Sequence, residues 1–208
     1  MFNVSLLVAF VPTFLFVSFT PGMCMTLSMT LGITIGVRRT LWMMLGELIG
    51  VGLVAIAAVV GVATLMLGAP WAFSIFKWLG GIYLCGLGFQ MWASKGKMAI
   101  PEKVDTDRAH IRRRVLFLQG FVTAVANPKG WAFFMVLLPP FIDDQLPMPA
   151  QLSVLVLLVL MIEFVALLSY AMGGQTLNRV LQKNSNVRVL NRISGSLMIF
   201  VGVWLALG

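Results

Sequence analysis

Val4 to Ile35 is one long apolar run, and it is interrupted at Thr20-Pro21-Gly22. Pro21 lacks a backbone donor and clashes with the preceding turn, while Gly22 tolerates the dihedrals of an unwound link. A break in hydrocarbon leaves N–H and C=O groups without water, so it survives only where it is buried in protein or lines a wet cavity. A second apolar run, Val115 to Ile142, is interrupted in the same way at Asn127-Pro128-Lys129-Gly130, with a cationic side chain added. An ordinary proline kink is the alternative for Pro21 alone. Two Pro-centred breaks, one in each half of the chain, favour a binding site.

Apolar runs of this length imply a membrane, and the whole chain agrees: 60% of its 208 residues are hydrophobic and 11% charged, with a mean hydropathy of +0.97. A spanning helix needs about 20 apolar residues to cross a core of about 30 Å. On that measure the chain is an all-α polytopic membrane protein with six transmembrane helices, at Val4–Ile35, Leu41–Leu67, Trp71–Ala93, Val115–Ile142, Pro149–Met172 and Val189–Leu207. Straight, the first and fourth would be roughly 48 and 42 Å long, so they must tilt, kink or unwind. They are the two that carry the breaks. The N-terminus lacks the basic start of a signal peptide and is expected to be kept as the first helix.

Thirteen of the fifteen Lys and Arg residues fall on one side, in the loops after the first, third and fifth helices and, for Arg192, at the start of the sixth. The positive-inside rule makes that side cytoplasmic and both termini periplasmic. The net charge of +8 is therefore an orientation signal in short clusters, not a nucleic-acid footprint. Contact of the basic linker with anionic lipid headgroups is a secondary reading. Cys24 and Cys85 lie inside apolar segments, without disulfide or metal spacing, and no cofactor is expected.

Residues 94–114, basic and containing Pro101, read as a linker between two three-helix halves, 1–93 and 115–208. With three helices each, the halves enter the membrane in opposite senses, which is the arithmetic of an inverted repeat. Each half reads as a Pro-broken helix, a helix with one acid, and a helix with two glycines seven residues apart, Gly81 and Gly88 in one, Gly195 and Gly202 in the other. Chance spacing among 20 glycines is the competing explanation for the last feature.

Glu47, Lys77, Lys129 and Glu163 are the ionisable residues within the apolar spans. An unpaired charge at mid-membrane costs about 2.5–3.5 kcal/mol on insertion scales, so such residues face the bundle interior and mark function by default. Glu163 is flanked by apolar sequence on both sides. Glu47 sits between Gly46 and Gly50, a small surface suited to close helix contact, and a structural ion pair is its alternative. Lys77 is close enough to an end to snorkel. Half-helices beginning after Gly22 and Pro128 would offer N–H groups and a positive dipole end to a carboxylate, with Lys129 adding a full charge. Glu47 or Glu163 would take an ammonium group or a coupling proton. Thr20, Pro21, Gly22, Asn127, Pro128 and Lys129 are thus the candidate substrate-binding residues, and Glu47 and Glu163 the candidate proton-coupling residues. Met23, Met25 and Met29 read as packing or lipid contacts before pocket lining.

At these residues the chain resembles the LysE/RhtB family of amino-acid exporters, over nearly its whole length. The matching pieces are Thr20-Pro21-Gly22, Gly32 to Gly36 followed by Arg38, Leu45-Gly46-Glu47, Asn127-Pro128-Lys129 followed by Phe133-Phe134, Glu163 and the paired glycines of the sixth helix. The chain departs from the family pattern at Met23, where a second proline is usual, and at Glu47, where Asp is usual. The resemblance implies a secondary active transporter of the bacterial inner membrane, exporting amino acids, small neutral or aliphatic, or related metabolites with proton coupling. Its partners would be that small-molecule substrate, protons and the bilayer, and a homo-oligomer is compatible with it. A divalent-cation carrier of a related six-helix family is the near alternative, though it needs convergent carboxylates, Cys or His. An intramembrane enzyme is the distant one: the chain's single histidine, His110, is in the basic loop, and neither H-E-x-x-H nor G-x-S-x-G occurs.

Overall fold

The structure is a computed structural model and describes residues 4–68, 70–93, 111–143, 145–174 and eleven positions between 188 and 203. Among the described residues all regular structure is helical: α1 (Val4–Phe19), α2 (Met23–Ile35), α3 (Val37–Gly68), α4 (Pro70–Ala93), α5 (Arg113–Val125), α6 (Pro128–Leu137), a 3₁₀ turn (Pro139–Phe141) and α7 (Met148–Met172). The described positions from 188 to 203 are helical as well. Most of the linker, the side chain of Lys77 and much of the sixth expected span lie outside the described residues. By length and hydropathy α3 and α7 suffice to cross a membrane, and the bent pair α1 and α2 makes a third if the two are one span.

The first break is real and sharp. α1 and α2 meet at an angle of 58°, with Gly22 extended between them. Proline alone does not cause this, because Pro12 lies inside α1 without ending it. What differs at Pro21 is the glycine after it. The carbonyls freed at the break are taken up by protein groups: Thr20 Oγ1 donates to Phe16 O at 2.9 Å, and the Tyr170 hydroxyl of α7 donates to Phe19 O at 2.9 Å. The second break follows the same logic, since the Trp131 indole donates to Val125 O at 2.8 Å. Each interrupted helix therefore ends on a carbonyl held by an aromatic donor.

Two expected boundaries are corrected. The second helix begins at Val37, not Leu41, so Arg38 and Arg39 stand in its first turn. Gly36, with φ +77°, turns the chain in a single residue because it has no Cβ to clash. The fourth helix stops at Leu137 rather than Ile142: Leu138 keeps helical dihedrals, but Pro139 and Pro140 have no N–H to continue the ladder, and the chain passes into the 3₁₀ turn. Its two pieces, α5 and α6, are about 20 and 15 Å long.

Backbone-to-backbone approach at glycines draws the helices together. Gly46 of α3 abuts the Phe117 carbonyl of α5, and Gly120 of α5 abuts the Met43 carbonyl of α3. This crossing sets the helix bearing Glu47 against the second broken helix. The paired glycines also find each other: a Cβ on Gly88 would lie 2.6 Å from Gly195 O, and one on Gly202 would lie 2.7 Å from Gly81 O. Trp92 Nε1 donates to Ser196 Oγ across the same contact at 3.1 Å.

Two apolar cores result. One, near the end of the bundle opposite the arginines, contains Phe10, Phe14, Phe133 and Phe134 with Val51, Val54 and Val159. Its rings interlock, with centroids 5.5 Å apart for Phe10 and Phe14, 5.4 Å for Phe14 and Phe133, and 5.1 Å for Phe10 and Phe141. The other, toward the arginine end, holds Met25, Met29, Met43, Met44, Leu167 and Tyr170.

Candidate functional site

Both breaks border one cavity of about 60 Å³, between the two cores. Thr20 and Gly22 of the first break, Asn127, Lys129 and Gly130 of the second, and Glu163 of α7 all line it, with an apolar wall that includes Phe14, Val51, Val54 and Phe133. One water needs roughly 10–15 Å³ on this measure, so the cavity holds about four to six waters or one small solute. Lys129 and Glu163 are half-buried and attract each other electrostatically. A Cβ built on Gly22 would lie 3.9 Å from Lys129 Nζ, which places the ammonium group directly over the first break. Ser18 Oγ donates to Glu163 Oε2 at 2.7 Å, so one carboxylate oxygen is held and oriented.

The two half-helix N-termini are not equivalent. Asn127 caps α6: its Oδ1 accepts from Lys129 N at 3.1 Å, and its carbonyl accepts from the N–H groups of Gly130 and Trp131. Pro128 has no N–H to offer. The expectation that α6 presents unsatisfied donors is therefore corrected, because an asparagine side chain fills that role. α2 begins after Gly22, which has no side chain and makes no cap. The start of α2 borders the cavity at Gly22 and Cys24, with no side-chain cap from its N-cap residue.

Glu47 stands outside the cavity lining, fully buried, and neither of its carboxylate oxygens accepts a conventional hydrogen bond. The Cys24 thiol is a polar neighbour, and Glu163 acts on it through space. Cys24 also accepts a 3.6 Å contact from Asn127 Nδ2 and itself lines the cavity. It thus connects the acid of α3 to the second break. Pro21 shapes the break without lining the cavity, and Pro128 opens α6 at its first residue. Met25 lines the cavity, Met29 is fully buried, and Met23 is 53% exposed on the outer face.

Ser18, Cys24, Trp131 and Tyr170 belong to this site and do not stand out as single residues in the sequence. A signal existed for two of them, since buried Tyr and Trp side chains need partners for their O–H and N–H groups. Freed carbonyls at the breaks are such partners.

Comparison with known proteins bears on the family. The profile of the family described as LysE type translocator matches residues 15–208. A homoserine/homoserine lactone efflux protein of Salmonella typhimurium is 30% identical over 95% of this chain and 94% of its own length. A leucine efflux protein of Klebsiella pneumoniae is 25% identical over 90% of this chain and 87% of its own, and a threonine efflux protein of Salmonella typhimurium is 30% identical over 56% of each. No solved structure matches. With the profile covering most of its length and a relative of this identity aligned nearly end to end, the chain belongs to the LysE type translocator family of membrane transport proteins.

Proposed function

We propose that this protein exports small neutral or aliphatic amino acids, or related metabolites, from the cytoplasm in exchange for protons, through a cavity formed where two broken helices meet. The observation that carries the reading is a cation, Lys129, and an acid, Glu163, lining one small cavity at the two breaks. A zwitterionic amino acid has a group for each. Its carboxylate would take Lys129 and the uncapped N-terminus of α2, beside Thr20, Pro21 and Gly22. Asn127 and Pro128 fix the backbone that aims Lys129. Drawing Lys129 onto the substrate would turn its charge away from Glu163, leaving that acid free to load a proton. Glu47, buried beside the Cys24 thiol, is the second candidate for the coupling proton. The relatives named for homoserine, threonine and leucine efflux support a small substrate, as does the volume of the cavity.

The topology that goes with this reading has six spans, in halves 1–93 and 115–208 of opposite sense joined by the linker 94–114, with both termini periplasmic. The mutual contact of the paired glycines and the aromatic caps on both breaks support the two-half arrangement. The divalent-cation alternative asks for converging donors; among the described residues no group of three or more His, Cys, Asp or Glu could hold a metal ion. The enzyme alternative falls away with the family, which is one of efflux transporters.

Everted membrane vesicles from cells producing the protein provide the test. Radiolabelled homoserine, threonine or leucine should accumulate when a proton gradient is imposed and stop accumulating when an ionophore collapses it. Accumulation of none of the three, or gradient-driven uptake of a divalent cation instead, would overturn the proposal.

A further inference from the structure

A second concavity, of about 880 Å³, lies on the outside of the bundle at its arginine end, lined by Arg38, Arg39, Trp42, Leu45, Arg113 and Phe164 among others. Its rim is cationic. Arg38 and Arg39 occupy the first turn of α3, and Arg113 is the first residue of α5. Arg39 donates to Ile111 O at 2.6 Å, which ties the two helix starts together, and the Arg113 guanidinium lies 5.3 Å above the Trp42 ring. Arg38 and Arg113 are exposed. Below this rim the floor is apolar: Leu41, Leu45 and Leu48 descend α3 on successive turns, with Phe164 of α7 beside them. Leu48 is ten residues from Arg38, or about 15 Å along the helix, half the thickness of a hydrocarbon core of about 30 Å.

We propose that this groove is a binding site for one anionic phospholipid of the leaflet at the arginine end, its phosphate held by Arg38 and Arg113 and an acyl chain lying along Leu41, Leu45, Leu48 and Phe164. Charge and polarity both select this occupant. Guanidinium groups recognise phosphate through paired hydrogen bonds, and basic pockets between transmembrane helices on the cytoplasmic side suit anionic headgroups. The floor is too apolar for a nucleic acid. A second copy of the chain docking by the same face would set three arginines against three more, which like-charge repulsion opposes.

The test uses the full-length protein extracted from vesicles containing phosphatidylcholine and phosphatidylglycerol in equal parts, with retained lipid counted by native mass spectrometry. Wild type should keep phosphatidylglycerol in preference to phosphatidylcholine. Each basic group near the headgroups contributes about fivefold in affinity, so Arg38→Gln with Arg113→Gln should reduce the preference about thirtyfold, while Lys at both positions should keep part of it. Both side chains are exposed, so these variants should fold. Arg112→Gln with Arg114→Gln, which removes neighbouring charges outside the groove, should leave the preference near wild type. Retention of the two lipids in bilayer proportion, an unchanged preference in the Arg38/Arg113 variant, or an equal loss in the Arg112/Arg114 variant would overturn the site. Displacement of the lipid by inorganic phosphate as readily as by excess phosphatidylglycerol would show a free-phosphate site instead and overturn the lipid assignment.

Discussion

Gly120→Ala should loosen the crossing of α3 and α5 on which the cavity depends. A Cβ at residue 120 would collide with the Met43 carbonyl oxygen and would lie 2.9 Å from Met43 C and 3.0 Å from Glu47 N. All three atoms are backbone of a long helix, so none can rotate aside. Restoring ordinary contacts of about 3.5 Å requires the helices to part locally by roughly 1.5 Å. Overpacking of this kind costs about 1–3 kcal/mol, and a rigid backbone partner puts it toward the upper end. Replacing glycine by alanine within a helix returns about 1 kcal/mol, for a net loss of about 1–2 kcal/mol. At about 2–4 °C per kcal/mol for a chain of this size, the melting temperature should fall by roughly 2–8 °C. Thermal unfolding of the detergent-solubilised protein, followed by tryptophan fluorescence, reads this directly. Gly61→Ala and Gly86→Ala are the internal controls, because a Cβ at either position meets nothing within 4 Å; they should melt at or above wild type. A Gly120→Ala protein as stable as wild type, or a Gly61→Ala protein that loses as much, would refute the argument from close approach.

Three further outcomes are expected. Asn127→Ala removes the cap on Lys129 N–H and should cost about 1 kcal/mol, read as a lower melting temperature that Asn127→Asp restores; no change in the alanine variant would show that the cap contributes nothing. Glu163→Gln should fold and exchange substrate across the membrane while losing export against a gradient, and normal gradient-driven export by that variant and by Glu47→Gln would end the coupling role of both acids. A reporter active only outside the cytoplasm should be active when fused after Gly208 and silent within the 94–114 linker, and the reverse pattern would invert the orientation drawn from the basic loops.

Legibility in the sequence followed the range of the interaction. Thr20-Pro21-Gly22 and Asn127-Pro128 announce their breaks because a missing donor and a missing Cβ act within a turn of where they stand. Glu163 and Lys129 were recognisable because a charge in an apolar run has few tolerable surroundings. The hydroxyl of Tyr170, by contrast, caps a carbonyl 151 residues away in the chain, and no local pattern encodes that meeting. Gly46 and Gly50 declared a close contact without naming α5 as the partner. The start of α3 was misplaced by four residues because Arg38 and Arg39 look like a loop, yet their long side chains reach out from a first helical turn. The unequal N-termini of α2 and α6 were hidden for a different reason: the asparagine that announces the second break is also the group that caps it.

The interlocked phenyl rings of Phe10, Phe14, Phe133, Phe134 and Phe141 bear on how the membrane stays charged. Protons cross a bilayer fastest by hopping along an unbroken file of water, and five packed rings without a hydrogen-bonding group offer no partner to such a file on that side of the cavity. The plug is in this sense an electrical insulator. If protons drive export as proposed, one in the cavity would have to leave toward that side with a moving carboxyl group or a departing substrate, so in the absence of cargo the protein should add little leak conductance to the cell that makes it.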